Sequence, residues 1–240
     1  MDIEIKGDII EDDNKWIYDW IGWSYTSPKN VISKLKEANG QPVTLKVNSP
    51  GGSVAAASEI YTELRSYQGE VNIQIVGLAA SAASVISMAG KSSMSPTGQL
   101  MVHNVSSSAC GDYRAMDHMS GILKNANETI ANAYIDKSGM SKEQALQLMN
   151  NETWLTAEKA KDLGLIDEIM FMESSDQFKG LSNFNKKVFY NSYSTIPKEL
   201  LNKLENLNQP SRESMVDFFI QQKAQAQINL LKLGGIKDYE

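Results

Sequence analysis

The chain of 240 residues holds one cysteine, Cys110, and two histidines, His103 and His118. A lone thiol excludes an intramolecular disulfide framework and any zinc site built from several cysteines, and it fits a reducing compartment. Two imidazoles leave a short search for any general base. No apolar run approaches the roughly 18 residues a membrane-crossing helix needs, and the opening Met1-Asp2-Ile3-Glu4-Ile5-Lys6-Gly7-Asp8 lacks the basic region and apolar stretch of an export signal. Positive charge is scarce: 23 Lys and Arg stand against 29 Asp and Glu, a net charge of −6. That balance gives no footprint for nucleic acid or an anionic membrane. No Walker-type phosphate loop occurs, so any dependence on ATP has to come from a partner. Neither a metal nor a cofactor is expected. What remains is an ordinary globular composition, 42% hydrophobic and 22% charged. It fits one main domain with an appendage in a cytoplasmic protein.

Val43, Leu45 and Val47 alternate with polar neighbours, as do residues 71–76, which is the period-two signature of strands. The turn sequence Ser49-Pro50-Gly51-Gly52 then precedes helical spacing at Val54, Ala57, Ile60, Tyr61 and Leu64. The second strand runs into the small-residue stretch Gly77-Leu78-Ala79-Ala80-Ser81-Ala82-Ala83-Ser84, which repeats the strand, turn, helix unit with a serine at the turn. Gln99-Leu100-Met101-Val102 reads as a short strand ending at His103. A long helix is predicted from Asp112 to Ser138, stopping at Gly139, and a capping-box pattern at Ser141-Lys142-Glu143-Gln144 opens a shorter one. A helix from Glu158 to Leu163 ends at Gly164. The compact domain is expected over 1–172. A linker and helical C-terminal extension follow over 173–240, with helices opening at Pro197 and Ser211.

A serine hydrolase needs a base for its weakly nucleophilic hydroxyl, a group that orients the base, and donors for the developing oxyanion. Ser81 sits where a strand gives way to a helix, so the Ala82 N–H at the helix start is a candidate oxyanion donor. Gly52, at a glycine turn opening another helix, is a candidate for the second donor. His103 lies at a strand end, a common place for working groups. His118 falls within the long helix, where a solvent-facing histidine needs no explanation.

In order, Asn48-Ser49-Pro50-Gly51-Gly52, Gly77-Leu78-Ala79-Ala80-Ser81 and Met101-Val102-His103 resemble the three motifs of the Clp protease proteolytic-subunit family and its phage relatives. The similarity covers roughly residues 1 to 170. It extends through Glu152-Thr153-Trp154-Leu155-Thr156-Ala157 and Ala160-Lys161-Asp162-Leu163-Gly164-Leu165-Ile166-Asp167. The resemblance implies an α/β, crotonase-like fold of stacked ββα units with the long helix as a handle between two rings of subunits, and heptameric rings. It implies a serine endopeptidase with Ser81 as nucleophile, His103 as base and Glu152 as acid, where the family generally has Asp. Asp136 and Asp167 are alternatives for the acid, although Asp167 reads more simply as a solvated turn residue. The short N-terminus and the extension over 173–240 are similar to the phage branch, whose members trim capsid and scaffold proteins. That setting is expected here, with a bacterial Clp-type subunit serving an ATP-dependent unfoldase as the alternative. Three other readings stay open. They are an acyl-CoA hydratase or isomerase using the same backbone donors, a scaffold protein that inherited the fold, and a relative of the signal-peptide peptidases with a Ser–Lys dyad.

Overall fold

The structure, a computed structural model, describes residues 1–172. The expected extension over 173–240, with its helices from Pro197 and Ser211, lies outside the described residues. The chain opens with β1 (Asp2–Ile9), whose Ile3 and Ile5 are buried between exposed Asp2 and Glu4. There follow α1 (Lys15–Ile21), the two-residue β2 (Tyr25–Thr26) and α2 (Pro28–Ala38), which Pro28 opens at a first-turn position where its missing N–H costs nothing. β3 (Val43–Gly52), α3 (Val54–Ser66), β4 (Val71–Ala80) and α4 (Ala82–Ile86) are the repeated strand and helix units expected from the sequence. Then come β5 (Lys91–Met94), β6 (Gln99–Val102), α5 (Tyr113–Ser138), α6 (Lys142–Asn150), β7 (Thr153–Leu155), α7 (Ala157–Asp162) and β8 (Glu168–Ile169).

The main sheet runs β2-β1-β3-β4-β5-β8, and every pairing along it is parallel. β4 is long enough to serve two neighbours. Residues 72–75 pair with β5, whereas Leu78, Ala79 and Ala80 pair with β6. β7 then lies antiparallel on β6. A parallel sheet needs cover on its faces, and α3, α4 and the C-terminal part of α5 supply it. Val43, Leu45, Val47, Ile60, Ile75, Ala83 and Ala131 are all fully buried in one continuous cluster. Truncating one of these larger side chains to alanine costs about 2 to 5 kcal/mol by the usual cavity penalty.

α5 starts and stops where the sequence indicates. Asp112 caps it by accepting from the Arg114 and Ala115 N–H groups, and Gly139 ends it in the left-handed conformation. His118 is exposed on it, as expected. The capping box at Ser141 and Gln144 is formed.

One expectation needs correction. The segment Ser49-Pro50-Gly51-Gly52 is the end of β3 rather than a free turn, because side chains replace the ladder bonds that proline and the register shift after Val47 remove. Ser49 Oγ donates to the Gly7 carbonyl at 2.6 Å, and Asn48 Oδ1 accepts from the Leu78 N–H at 3.0 Å. Asp167 is exposed, as expected, and also receives the Lys137 ammonium and the Ser92 N–H. Burial opposes its charge, but these donors outweigh burial and hold the carboxyl below its ordinary range.

Candidate active site

Parallel strands end at one edge, and that is how Ser81 and His103 meet. Ala80 pairs with Met101 across β4 and β6, so the residues that follow these strands emerge side by side. Ser81 Oγ and His103 Nε2 lie 2.7 Å apart. For Nε2 to accept that proton, the ring's own proton sits on Nδ1. Burial lowers the His103 pKa below its ordinary value, while the nearby Glu152 charge pulls the other way. The net direction keeps the imidazole neutral, the form a base must have.

Ser81 adopts φ 53° and ψ −123°, a strained conformation for a residue with a side chain. Such a conformation costs about 1–3 kcal/mol and persists only where neighbours determine it. Here the Ser81 N–H donates to the Met101 carbonyl at 2.9 Å, and its carbonyl accepts from the Ser84 N–H at 3.0 Å and from Ser84 Oγ at 2.6 Å. The sharp turn projects the hydroxyl beyond the strand and leaves the Ala82 N–H in a first helical turn without an intrahelical acceptor.

The end of β3 approaches this turn closely. A side chain at Gly51, where φ is 101°, would meet the Ala80 carbonyl at 2.6 Å, Ser81 Cβ at 2.8 Å and the Ala82 nitrogen at 2.9 Å. One at Gly52 would meet the Ile9 carbonyl at 2.2 Å. The Ser53 N–H bonds that same carbonyl at 2.7 Å, so Gly52 turns its own N–H away from β1. Gly52 lines a cleft of about 80 Å³ together with Ser81, Ala82 and His103. Val54, Ala57, Val85 and Ile130 give the cleft an apolar wall, and Tyr134 lines it as well.

Glu152 arrives by register: Val102 opposes Thr153 across β6 and β7, which puts His103 and Glu152 at the next opposing position. Its backbone is left-handed, with φ 44°. The carboxylate is exposed, and its hydrogen bond is to Trp154 Nε1 at 3.3 Å, not to His103. Its influence on the imidazole is therefore electrostatic in this arrangement. The alternative acids are engaged elsewhere, Asp136 with Arg65 at 3.8 Å and Asp167 with Lys137.

Four side chains around this site carried no sequence signal of their own. Asn104, next to His103, donates to Asn150 Oδ1 at 2.9 Å and so ties the histidine's loop to the end of α6, two residues before Glu152. Ser84 and Tyr134 share a 2.7 Å hydrogen bond beneath Ser81. Among the described residues, no group of three or more His, Cys, Asp or Glu side chains could hold a metal ion.

The family model described as Clp protease matches residues 27–173. The proteolytic subunit 1 of an ATP-dependent Clp protease from Chlamydia abortus is 34% identical over 138 residues, which is 55% of this chain and 71% of that protein. The corresponding subunit from Bacteroides fragilis is 31% identical over 134 residues, 55% of this chain and 65% of its own length. Among solved structures, a ClpP1 variant from Listeria monocytogenes superposes with a TM-score of 0.57 at 22% identity, covering 70% of this chain and 90% of its own. That likeness shows the ClpP-like α/β fold.

Proposed function

The chain belongs to the Clp protease family, a family of serine-type peptidases, and we propose that it is a serine endopeptidase acting through Ser81, His103 and Glu152. The observation that carries this reading is the 2.7 Å contact between Ser81 Oγ and His103 Nε2 at a strained turn facing an open cleft. In the proposed reaction His103 Nε2 takes the Ser81 proton as Oγ bonds to the scissile carbonyl carbon. The carbonyl electron pair moves onto oxygen, where the Gly52 and Ala82 N–H groups receive it. Collapse expels the amine, which leaves with the proton from His103, and a water molecule then repeats the sequence to free the acid. Glu152 favours the imidazolium that forms in each half. The protease domain in this reading is residues 1–172.

The named relatives are proteolytic subunits of ATP-dependent Clp proteases. They support a Clp-type role, in oligomeric rings fed by a partner unfoldase in the cytoplasm, over the prohead setting expected from the sequence. One observation keeps the prohead reading as a second possibility: the family match stops at residue 173, leaving 174–240 without a counterpart in it. The test is cleavage of a fluorogenic peptide and an unfolded protein by the full chain beside Ser81→Ala and His103→Ala. Cleavage lost in both variants supports the assignment, and equal cleavage by all three overturns it. Parallel incubations, one with an ATP-dependent unfoldase and a folded substrate and one with capsid and scaffold proteins, separate the two settings.

A further inference from the structure

Beneath the nucleophile lies a relay whose direction is set by counting protons. Ser84 Oγ is 2.6 Å from the Ser81 carbonyl oxygen, which can only accept, so the single Ser84 hydroxyl proton points there. Ser84 Oγ is also 2.7 Å from Tyr134 Oη. With its proton already engaged, Ser84 is the acceptor in that contact and Tyr134 the donor. The chain of bonds therefore runs from Tyr134 to Ser84 to the Ser81 carbonyl.

That carbonyl and the Ala82 N–H are the two ends of one planar amide. A donor that draws charge onto the oxygen raises the positive charge on the N–H, and successive hydrogen bonds polarise one another by roughly 10–30% each. Together with the Ser84 N–H, which donates to the same oxygen at 3.0 Å, this bond holds the rotation of the Ser81–Ala82 peptide plane, and with it the direction in which the N–H points.

We propose that Ser84 and Tyr134 are positioning residues that aim and strengthen the Ala82 N–H as an oxyanion donor. This rests on the serine-peptidase reading above and adds two groups to it. A serine in a helix often bonds a carbonyl one turn back, so the Ser84 contact alone would carry little. The second observation is Tyr134, which reaches the same point from α5, 50 positions along the chain, and places its hydroxyl there. Ser84 is fully buried and Tyr134 is 2% exposed, so water does not compete for either bond. Burial pushes the phenol up to about 12, so Tyr134 stays a donor throughout the range in which His103 can work as a base.

The experiment compares the full-length parent with Tyr134→Phe, Ser84→Ala and the double variant. It reads kcat and KM on a fluorogenic peptide, together with inhibition by a peptide boronate, which forms a tetrahedral adduct at the serine. We expect Ser84→Ala to lower kcat about tenfold and Tyr134→Phe about threefold, a fraction of the loss typical of deleting a whole donor, with KM within about twofold. Boronate affinity is expected to weaken by matching factors, and the double variant to be no worse than Ser84→Ala alone because both residues act through one bond. Unchanged kcat in both single variants overturns the relay, as do losses confined to KM or strictly multiplicative losses in the double variant. A parent that cleaves nothing and forms no boronate adduct overturns the peptidase reading beneath it. Tyr134→Phe removes only the hydroxyl, so it tests the relay even where Ser84→Ala fails to fold.

Discussion

The Glu152 carboxylate accepts from Trp154 Nε1 at 3.3 Å while standing across from His103 in the β6–β7 register. The indole competes with the imidazole for the acid. Glu152→Gln is expected to lower kcat/KM at least about tenfold, because stabilisation of the imidazolium is lost. Trp154→Phe frees the carboxylate and is expected to retain or raise the parent rate. If Trp154→Phe loses as much as Glu152→Gln, the carboxylate works through the indole. If Glu152→Ala stays within a few-fold of the parent, the acid has to be sought elsewhere.

The pH dependence follows from His103. Burial lowers its pKa and Glu152 raises it, with burial the larger influence. A base must be unprotonated, so kcat/KM is expected to rise with pH through an inflection below the ordinary imidazole value of about 6.5. Glu152→Gln removes the raising influence, and the inflection should then move to lower pH. A shift upward in that variant contradicts the electrostatic role given to Glu152.

Gly51 is constrained twice, by its φ of 101° and by the Ser81 and Ala82 atoms that a side chain would strike. Gly51→Ala is therefore expected to displace the nucleophile turn. It should destabilise the fold by about 1–3 kcal/mol and lower kcat by more than that loss explains under folding conditions. Denaturant melts beside peptide kinetics separate the two effects. Full activity in a folded Gly51→Ala variant contradicts the close approach.

Asp8 is a buried carboxyl whose pKa is raised by burial, against the hydrogen bond it accepts from the Tyr18 hydroxyl at 3.0 Å. A group with a raised folded pKa favours the fold when protonated, and that contribution is lost as pH rises through the folded value. Asp8→Asn keeps an acceptor for Tyr18 without the charge. Its Tm relative to the parent is expected to increase between pH 4 and pH 7. A difference that shrinks over that interval reverses the sign and refutes the account.

How much was legible beforehand varies by residue. The strand alternation at Val43, Leu45 and Val47, the caps of α5 and α6, and the pairing of Ser81 with His103 all follow from local pattern and motif order. Pro-Gly-Gly reads locally as turn chemistry, and it is the long-range pairing of Gly51 and Gly52 with Asp8 and Ile9, with the side-chain bonds of Asn48 and Ser49, that keeps the end of β3 in the sheet. α1 and β2 leave no local signal, since an aromatic seven-residue helix and a two-residue strand are too short for a period to show. Tyr134 sits beside Ile130 and Ala133 on the buried face of α5, so its hydroxyl was hidden within an apolar stripe. Glu152 was found by resemblance alone, and its place opposite His103 is a matter of sheet register that no local signal encodes.

The most direct measurement is mass-spectrometric mapping of the full-length protein after reaction with a fluorophosphonate. The account predicts one adduct, on Ser81, absent in Ser81→Ala and formed far more slowly in His103→Ala. Labelling that maps to another residue, or peptide cleavage that persists in Ser81→Ala, would contradict it.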